Sequence, residues 1–168
     1  MMIEGRRLRL LSGREVLLPR DMTDFRIDGD IYIVKSPTLG GLERVTASRK
    51  DQGTAVWSIT KKPTAVCSLD QSQLELTLPS GVFVAERPIS DVVQSDRIFV
   101  VCTADRAGGP LSPVIGVAEN GSVLWNLPAN YYTINYSPTS GTVFAVRPLI
   151  GETVDVLTGT IIGSEQIK

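Results

Sequence analysis

The feature that most constrains this chain is that it repeats itself. The segment from Leu8 to Val34, LRLLSGREVLLPRDMTDFRIDGDIYIV, returns with one small slip as the segment from Leu76 to Val101, LTLPSGVFVAERPISDVVQSDRIFVV. Matches fall at Leu8 and Leu76, Leu10 and Leu78, Ser12 and Ser80, Gly13 and Gly81, Val16 and Val84, Asp24 and Asp91, Ile31 and Ile98, and Val34 and Val101. The similarity resumes beyond a loop of unequal length, where the spacing G-x-x-x-W sets Gly53 and Trp57 against Gly121 and Trp125. The first copy carries about two extra residues before that turn. A partial third copy follows, with Val154, Val156, Thr158, Gly159 and Ile161 repeating Leu76, Leu78, Ser80, Gly81 and Phe83. We therefore expect a single domain over residues 1–168, with internal repeats at about 7–59 and 74–127 and a partial copy at 152–163.

Each unit reads as strands. In RLRLL and QLELTL apolar residues alternate, the two-residue period of a half-buried strand, and Ser-Gly, Asp-Gly or Asn-Gly stands where the chain must reverse. Gly13, Gly29, Gly81, Gly121, Gly141 and Gly159 are expected to take the positive φ of tight turns. The ten prolines suppress helices, and no segment sustains a period of 3.6. Counting apolar runs between turn signals gives roughly 15 to 17 strands of about four to six residues. The fold expected is all-β, an internally duplicated meander of short antiparallel strands. A small propeller-like array of about four sheets at roughly 40 residues each fits it, and a two-sheet sandwich or squat barrel is the alternative.

Two tracts carry a resemblance. VIGVAENGSVLWNL, Val114 to Leu127, resembles the blade signature of PQQ-type and other WD-like propellers: an alternating strand, an Asn-Gly turn and a strand ending in Trp. TVFAVRPLIGETVDVLTGTII, Thr142 to Ile162, looks like its complement. The order of elements is also similar to that of small bacterial single-domain proteins, some of which are immunity partners of polymorphic toxins. That resemblance implies a protein that binds and neutralises a toxin. Nothing in the chain matches the residues that hold quinone and calcium in PQQ dehydrogenases, so no cofactor is implied.

The chain has no histidine, which removes the usual general base, the usual metal ligand and every Ser-His or Cys-His nucleophile. Carboxylate chemistry on a carbohydrate stays open, because a glycosidase needs only two facing acids. Asp24, Asp28, Asp30, Asp91 and Asp96 are the acids to consider. Asp24 and Asp91 obey the repeat, however, and Asp beside Gly or Ser before a strand is ordinary turn chemistry. The spacing of Asp24, Asp28, Gly29 and Asp30 lacks the ligand alternation and distant Glu of a calcium loop. Gly108-Gly109-Pro110 lacks the Lys-Ser or Lys-Thr of a phosphate loop. Neither a catalytic residue nor a metal site is expected.

Seventeen basic and 18 acidic residues nearly cancel, which removes the electrostatic term that dominates nucleic-acid and anionic-membrane binding. Arg6, Arg7 and Arg9 read as the wet face of a strand. MMIEGRRLRL lacks the apolar core of a signal peptide, so a cytoplasmic protein is expected. Cys67 and Cys102 lie in apolar runs and are expected to be buried thiols. With no coiled-coil seam, the chain is expected to be a monomer apart from its partner.

Function is most readily grafted where the copies disagree. ADRAGGPLSP, residues 104–113, lengthens the second copy, and Asn130, Tyr131 and Tyr132 have no first-copy counterpart. An arginine-bearing loop beside exposed tyrosines suits a protein interface, so Asp105, Arg106, Leu111, Asn130, Tyr131 and Tyr132 are the expected partner-binding residues. Trp57 and Trp125, being repeat-equivalent, read as packing residues. Assembly through the terminal hairpins, residues 7–18 and 152–163, is the further alternative, and it requires an unpaired apolar edge.

Overall fold

The computed structural model describes residues 2–103, 113–129, 131, 133–137 and 141–167. They form two compact units, Met1–Pro63 and Thr64–Lys168. In the first, β1 (Met2–Glu4), β2 (Arg7–Arg9) and β3 (Glu15–Leu17) make a three-stranded sheet. β4 (Asp24–Asp28), β5 (Ile31–Pro37), β6 (Glu43–Arg49) and β7 (Ala55–Lys61) follow one another as a four-stranded antiparallel meander.

The second unit repeats this plan and extends it. β8 (Ser68–Leu69), β9 (Glu75–Leu78) and β10 (Gly81–Val84) form three strands. β11 (Ile89–Ser95), β12 (Ile98–Thr103), β13 (Val114–Ala118) and β14 (Val123–Leu127) form a four-stranded meander. A second one consists of β15 (Thr133–Ser137), β16 (Thr142–Arg147), β17 (Ile150–Asp155) and β18 (Ile161–Gln166). The described residues thus hold 18 strands, one above the upper end of the number that the turn signals suggest. Four antiparallel strands in sequence order are the sheet of a propeller blade, whereas a sandwich needs Greek-key crossings. The fold is all-β and propeller-like.

The duplication is visible in hydrogen bonds. The Ser12 amide donates to the Asp51 carbonyl at 3.2 Å, and the matched Ser80 amide donates to the Glu119 carbonyl at 3.0 Å. In each unit the opening hairpin is thereby pinned to the turn that joins the last two strands of the following meander. A bulge also falls at the same place, after Ala47 in β6 and after Gly116 in β13, opposite Trp57 and Trp125. The first copy's turn is longer by one residue, not two: four residues lie between Arg49 and Thr54 but three between Ala118 and Ser122.

Two residue-level expectations are corrected. Val16 and Val84 are not equivalent, because Leu8 pairs with Val16 while Leu76 pairs with Phe83. The slip therefore lies in the hairpin turn: Val16 packs on the Leu8, Leu10, Tyr32 cluster, Phe83 is 7 % exposed, and Val84 is 68 % exposed. Among the turn glycines, Gly13, Gly29, Gly121, Gly141 and Gly159 have positive φ and Gly81 does not. Gly81 is required for space instead, since a β-carbon there would overlap the Asn120 backbone. Residues 152–163 fall on β17, β18 and their turn. Val154 pairs with Ile161 as Leu76 pairs with Phe83, yet these are the third and fourth strands of their sheet, level with β6–β7 and β13–β14.

The core of the second unit joins its two meanders: Val93, Val100 and Cys102 pack with Ile134, Val143, Ala145 and Val154. β12 is buried along its whole length, as its unbroken apolar run requires. Trp125 closes this core. Its indole lies over Gly116 of β13 and against Gly159 of the β17–β18 turn, where a β-carbon would overlap the ring in either case, and its Nε1 donates to the Val156 carbonyl at 2.7 Å. The packing role read from the sequence holds for this tryptophan.

Two glycine substitutions separate strain from space. Gly13 has φ +91 with nothing near a would-be β-carbon, so Gly13→Ala should cost about 1–2 kcal/mol, the left-handed penalty alone. Gly121 has φ +92, and its β-carbon would also overlap the Val82 carbonyl. Gly121→Ala should therefore cost about 3 kcal/mol or more, as read from urea denaturation of the two variants.

Candidate functional site

Beyond β12 the second copy carries its lengthened connection, residues 104–113, and Thr103 just before it and Pro113 at its end line one cavity of about 400 Å³. β10 and the residues after it supply one wall, through Phe83, Val84 and Ala85, then Glu86 and Arg87. β13 and β14 supply Ile115 and Asn126. Local sequence explains this placement. The hairpin slip turns Phe83 inward and leaves Val84 facing outward, and Glu86-Arg87-Pro88 breaks the strand pattern before β11 begins.

Thr103 is the unusual member. It is 3 % exposed, and its Oγ1 has no hydrogen-bond partner among the described residues. A buried hydroxyl without a partner costs about 1–3 kcal/mol. The wall mixes apolar residues, Phe83, Val84, Ala85 and Ile115, with the polar Asn126, Glu86 and Arg87, and the formal charges of Glu86 and Arg87 cancel. Among the described residues the cavity's lining holds one carboxylate, Glu86, whereas an acid-pair glycosidase needs two carboxyl groups roughly 5–9.5 Å apart. The acids weighed from the sequence lie elsewhere: Asp24 and Asp28 end β4, Asp30 and Asp96 sit in hairpin turns, and Asp91 lies in β11.

The expected partner-binding residues fare unevenly. Asp105, Arg106, Leu111, Asn130 and Tyr132 lie outside the described residues. Tyr131 is described, and its expected exposure is corrected: it is 2 % exposed and packs in the core beside Ile134 and Val154. Its hydroxyl donates to Glu152 Oε1 at 2.8 Å, and Arg147 Nε donates to the same oxygen at 3.0 Å. Burial, then the Glu152 carboxylate, pushes the phenol well above the ordinary tyrosine range. Sequence reasoning took an aromatic beside asparagine for a surface anchor, while a buried charge needs polar partners and Tyr131 is one of them. Thr103, Glu86 and Arg87 were missed, since a threonine ending an apolar strand carries no sequence signal of an unpaired hydroxyl.

Both cysteines are buried, as expected. Burial raises the Cys102 thiol to about 12, helped by the Asp91 charge and opposed by Ser90. It is therefore an inert packing residue.

No family model matches the chain, and no curated protein does. Among solved structures it is similar to KlHsv2 with loop 6CD replaced by a Gly-Ser linker, at 12 % identity and TM-score 0.45, over 92 % of this chain and 57 % of that one. It is also similar to the WD40 beta propeller domain of Doa1, at 12 % identity and TM-score 0.41, over 87 % and 53 %. The AfRom2 CNH domain follows at 10 % identity and TM-score 0.37, over 99 % and 61 %. The chain spans little more than half the length of each. At these scores the fold assignment rests on the strands themselves.

Two outcomes check the site's physics. Thr103→Val keeps the β-branched shape and removes the unpaired hydroxyl, so it should stabilise the protein by about 1 kcal/mol in urea unfolding; a loss of similar size would mean that the hydroxyl is satisfied. Cys102 has a folded pKa above its unfolded value of 9.0. The neutral thiol's contribution is therefore complete below pH 9 and lost as pH rises towards 12. Stability measured across that window should fall less steeply in Cys102→Ala than in the parent.

Proposed function

We propose that this chain is a non-catalytic binding module that engages another protein through the part of the second unit where the cavity opens. In its most concrete form it is a cytoplasmic immunity protein that binds and neutralises a cognate toxin. The observation that carries the binding reading is the position of the cavity: Thr103 at the end of β12 and Pro113 just before β13 both line its wall, so it lies at the connection that is longer in this copy than in the first. The repeated scaffold provides the frame, and the non-repeated part provides the specificity. The lack of histidine in the sequence supports binding over hydrolysis, as does the presence of one carboxylate among the described residues of the cavity. Asp105, Arg106 and Leu111, with Asn130 and Tyr132, remain the proposed contacts from the sequence. Val84, Glu86 and Arg87 join them from the cavity, and Tyr131 leaves the set.

A second reading has one observation in its favour. β18 is the outer strand of its sheet, and all six of its residues are exposed, Ile161 and Ile162 included. An open edge of this kind can pair with another chain, which would make the protein an assembly subunit.

Co-expression with the product of the adjacent gene tests both. Stable co-purification, lost by at least about tenfold in Val84→Asp at unchanged melting temperature, is the result expected; tenfold is about 1.4 kcal/mol. Failure to co-purify, or retention undiminished by Val84→Asp, overturns the reading. A chain that elutes alone as a dimer, and becomes monomeric in Ile162→Lys, would establish assembly through β18 instead.

A further inference from the structure

β10 is the outer strand of its sheet, and its free edge passes from sealed to open within two residues. In an antiparallel ladder, residues bonded to the neighbouring strand alternate with residues whose N–H and C=O point away from it. Gly81 and Leu78 flank a two-residue turn as a bonded pair, and the Ala85 amide donates to the Leu74 carbonyl at 2.7 Å. Gly81, Phe83 and Ala85 therefore face β9, while Val82 and Val84 direct their N–H and C=O groups to the outer edge. At Val82 that edge is sealed, because the carbonyl lies so close to Gly121 that a β-carbon there would overlap it. At Val84 the edge opens: this residue is 68 % exposed and lines the cavity.

A second element brings a polar group to the same cavity. Asn126 stands directly across the β13–β14 ladder from Ile115, so both side chains lie on one face of that hairpin, and both line the cavity. The Asn126 amide supplies an acceptor and two donors. A main-chain edge from one element, a carboxamide from another and apolar side chains beside them fit an extended backbone. Such a backbone carries peptide groups along both edges and side chains on both faces. Glu86 and Arg87 also line the cavity and cancel in formal charge, which favours an uncharged segment.

We propose that an extended, uncharged segment of the partner protein enters this cavity as an added strand. Its main chain bonds to the Val84 N–H and C=O, and the Asn126 amide meets peptide groups on its other edge. This rests on the binding reading above and specifies it: the partner is recognised here as a β-strand, through its backbone.

The whole chain titrated with the blocked peptide acetyl-Thr-Val-Thr-Val-Thr-amide, at millimolar concentration, tests this without the partner. The control is the same peptide N-methylated at its three central residues, which can donate from neither edge. Backbone amide shifts at residues 83–87, 115 and 126 are expected with the first peptide and not with the second. Val84→Pro removes an outward-pointing N–H, a change that an edge strand tolerates. It should weaken the peptide by at least about fivefold, the order that one net hydrogen bond gives. Val84→Thr keeps the main chain and the β-branched shape and should bind like the parent. No shifts at these amides, equal binding of the N-methylated peptide, binding undiminished in Val84→Pro, or an equal loss in Val84→Thr each overturn the proposal. The two readings fail separately: co-purification lost in Val84→Asp but kept in Val84→Pro would refute strand pairing alone. Peptide binding without co-purification would refute the partner alone.

Discussion

Backbone can lie against backbone, or against the face of an indole, only where no β-carbon intervenes. The second unit depends on that constraint. Gly81 and Gly121 let the β9–β10 hairpin and the β13–β14 turn interlock, and Gly116 and Gly159 let the Trp125 ring lie flat between one sheet and the next turn. The Ser80 to Glu119 hydrogen bond and the Trp125 to Val156 hydrogen bond are made across these approaches. A methyl group at any of the four would force apart elements whose apolar faces form a single core.

The first unit shows the same joint built with more latitude. Its hairpin is pinned by the matched Ser12 to Asp51 bond, but a β-carbon on Gly53 would come no closer than 3.0 Å, to the Leu10 side chain. Ala47 occupies the place that Gly116 takes opposite the tryptophan. Trp57 is therefore paired across the ladder with a residue that has a β-carbon, and Trp125 with one that has none. The tighter copy packs on the β15–β18 meander, and its β12 leads into the lengthened connection. Close packing and a Thr103 hydroxyl without a partner among the described residues thus occur in the same copy.

Much of this was legible in the chain. Alternation in RLRLL and QLELTL marked strands because one face of each is dry, and the matched glycines marked the turns because few other residues fit there. The register slip was visible but misplaced: Val84 aligns with Val16 in letters, while pairing across the hairpin sets Phe83 in that slot. Tyr131 was misread for a related reason. Its neighbours in sequence are polar, but the residues that surround it, Glu152 and Arg147, come from a different hairpin.

What the sequence determined by itself was the all-β repeat, because periodicity, turn glycines and internal matches are local properties that each segment carries. The duplicated meander could be read for the same reason. The tertiary structure alone decided which polar groups were paired. Glu152 acquired Tyr131 and Arg147, while Thr103, at the end of a buried strand, acquired no partner among the described residues. Satisfaction of a buried hydroxyl depends on what other segments bring within about 3 Å, and no pattern along the chain encodes that distance.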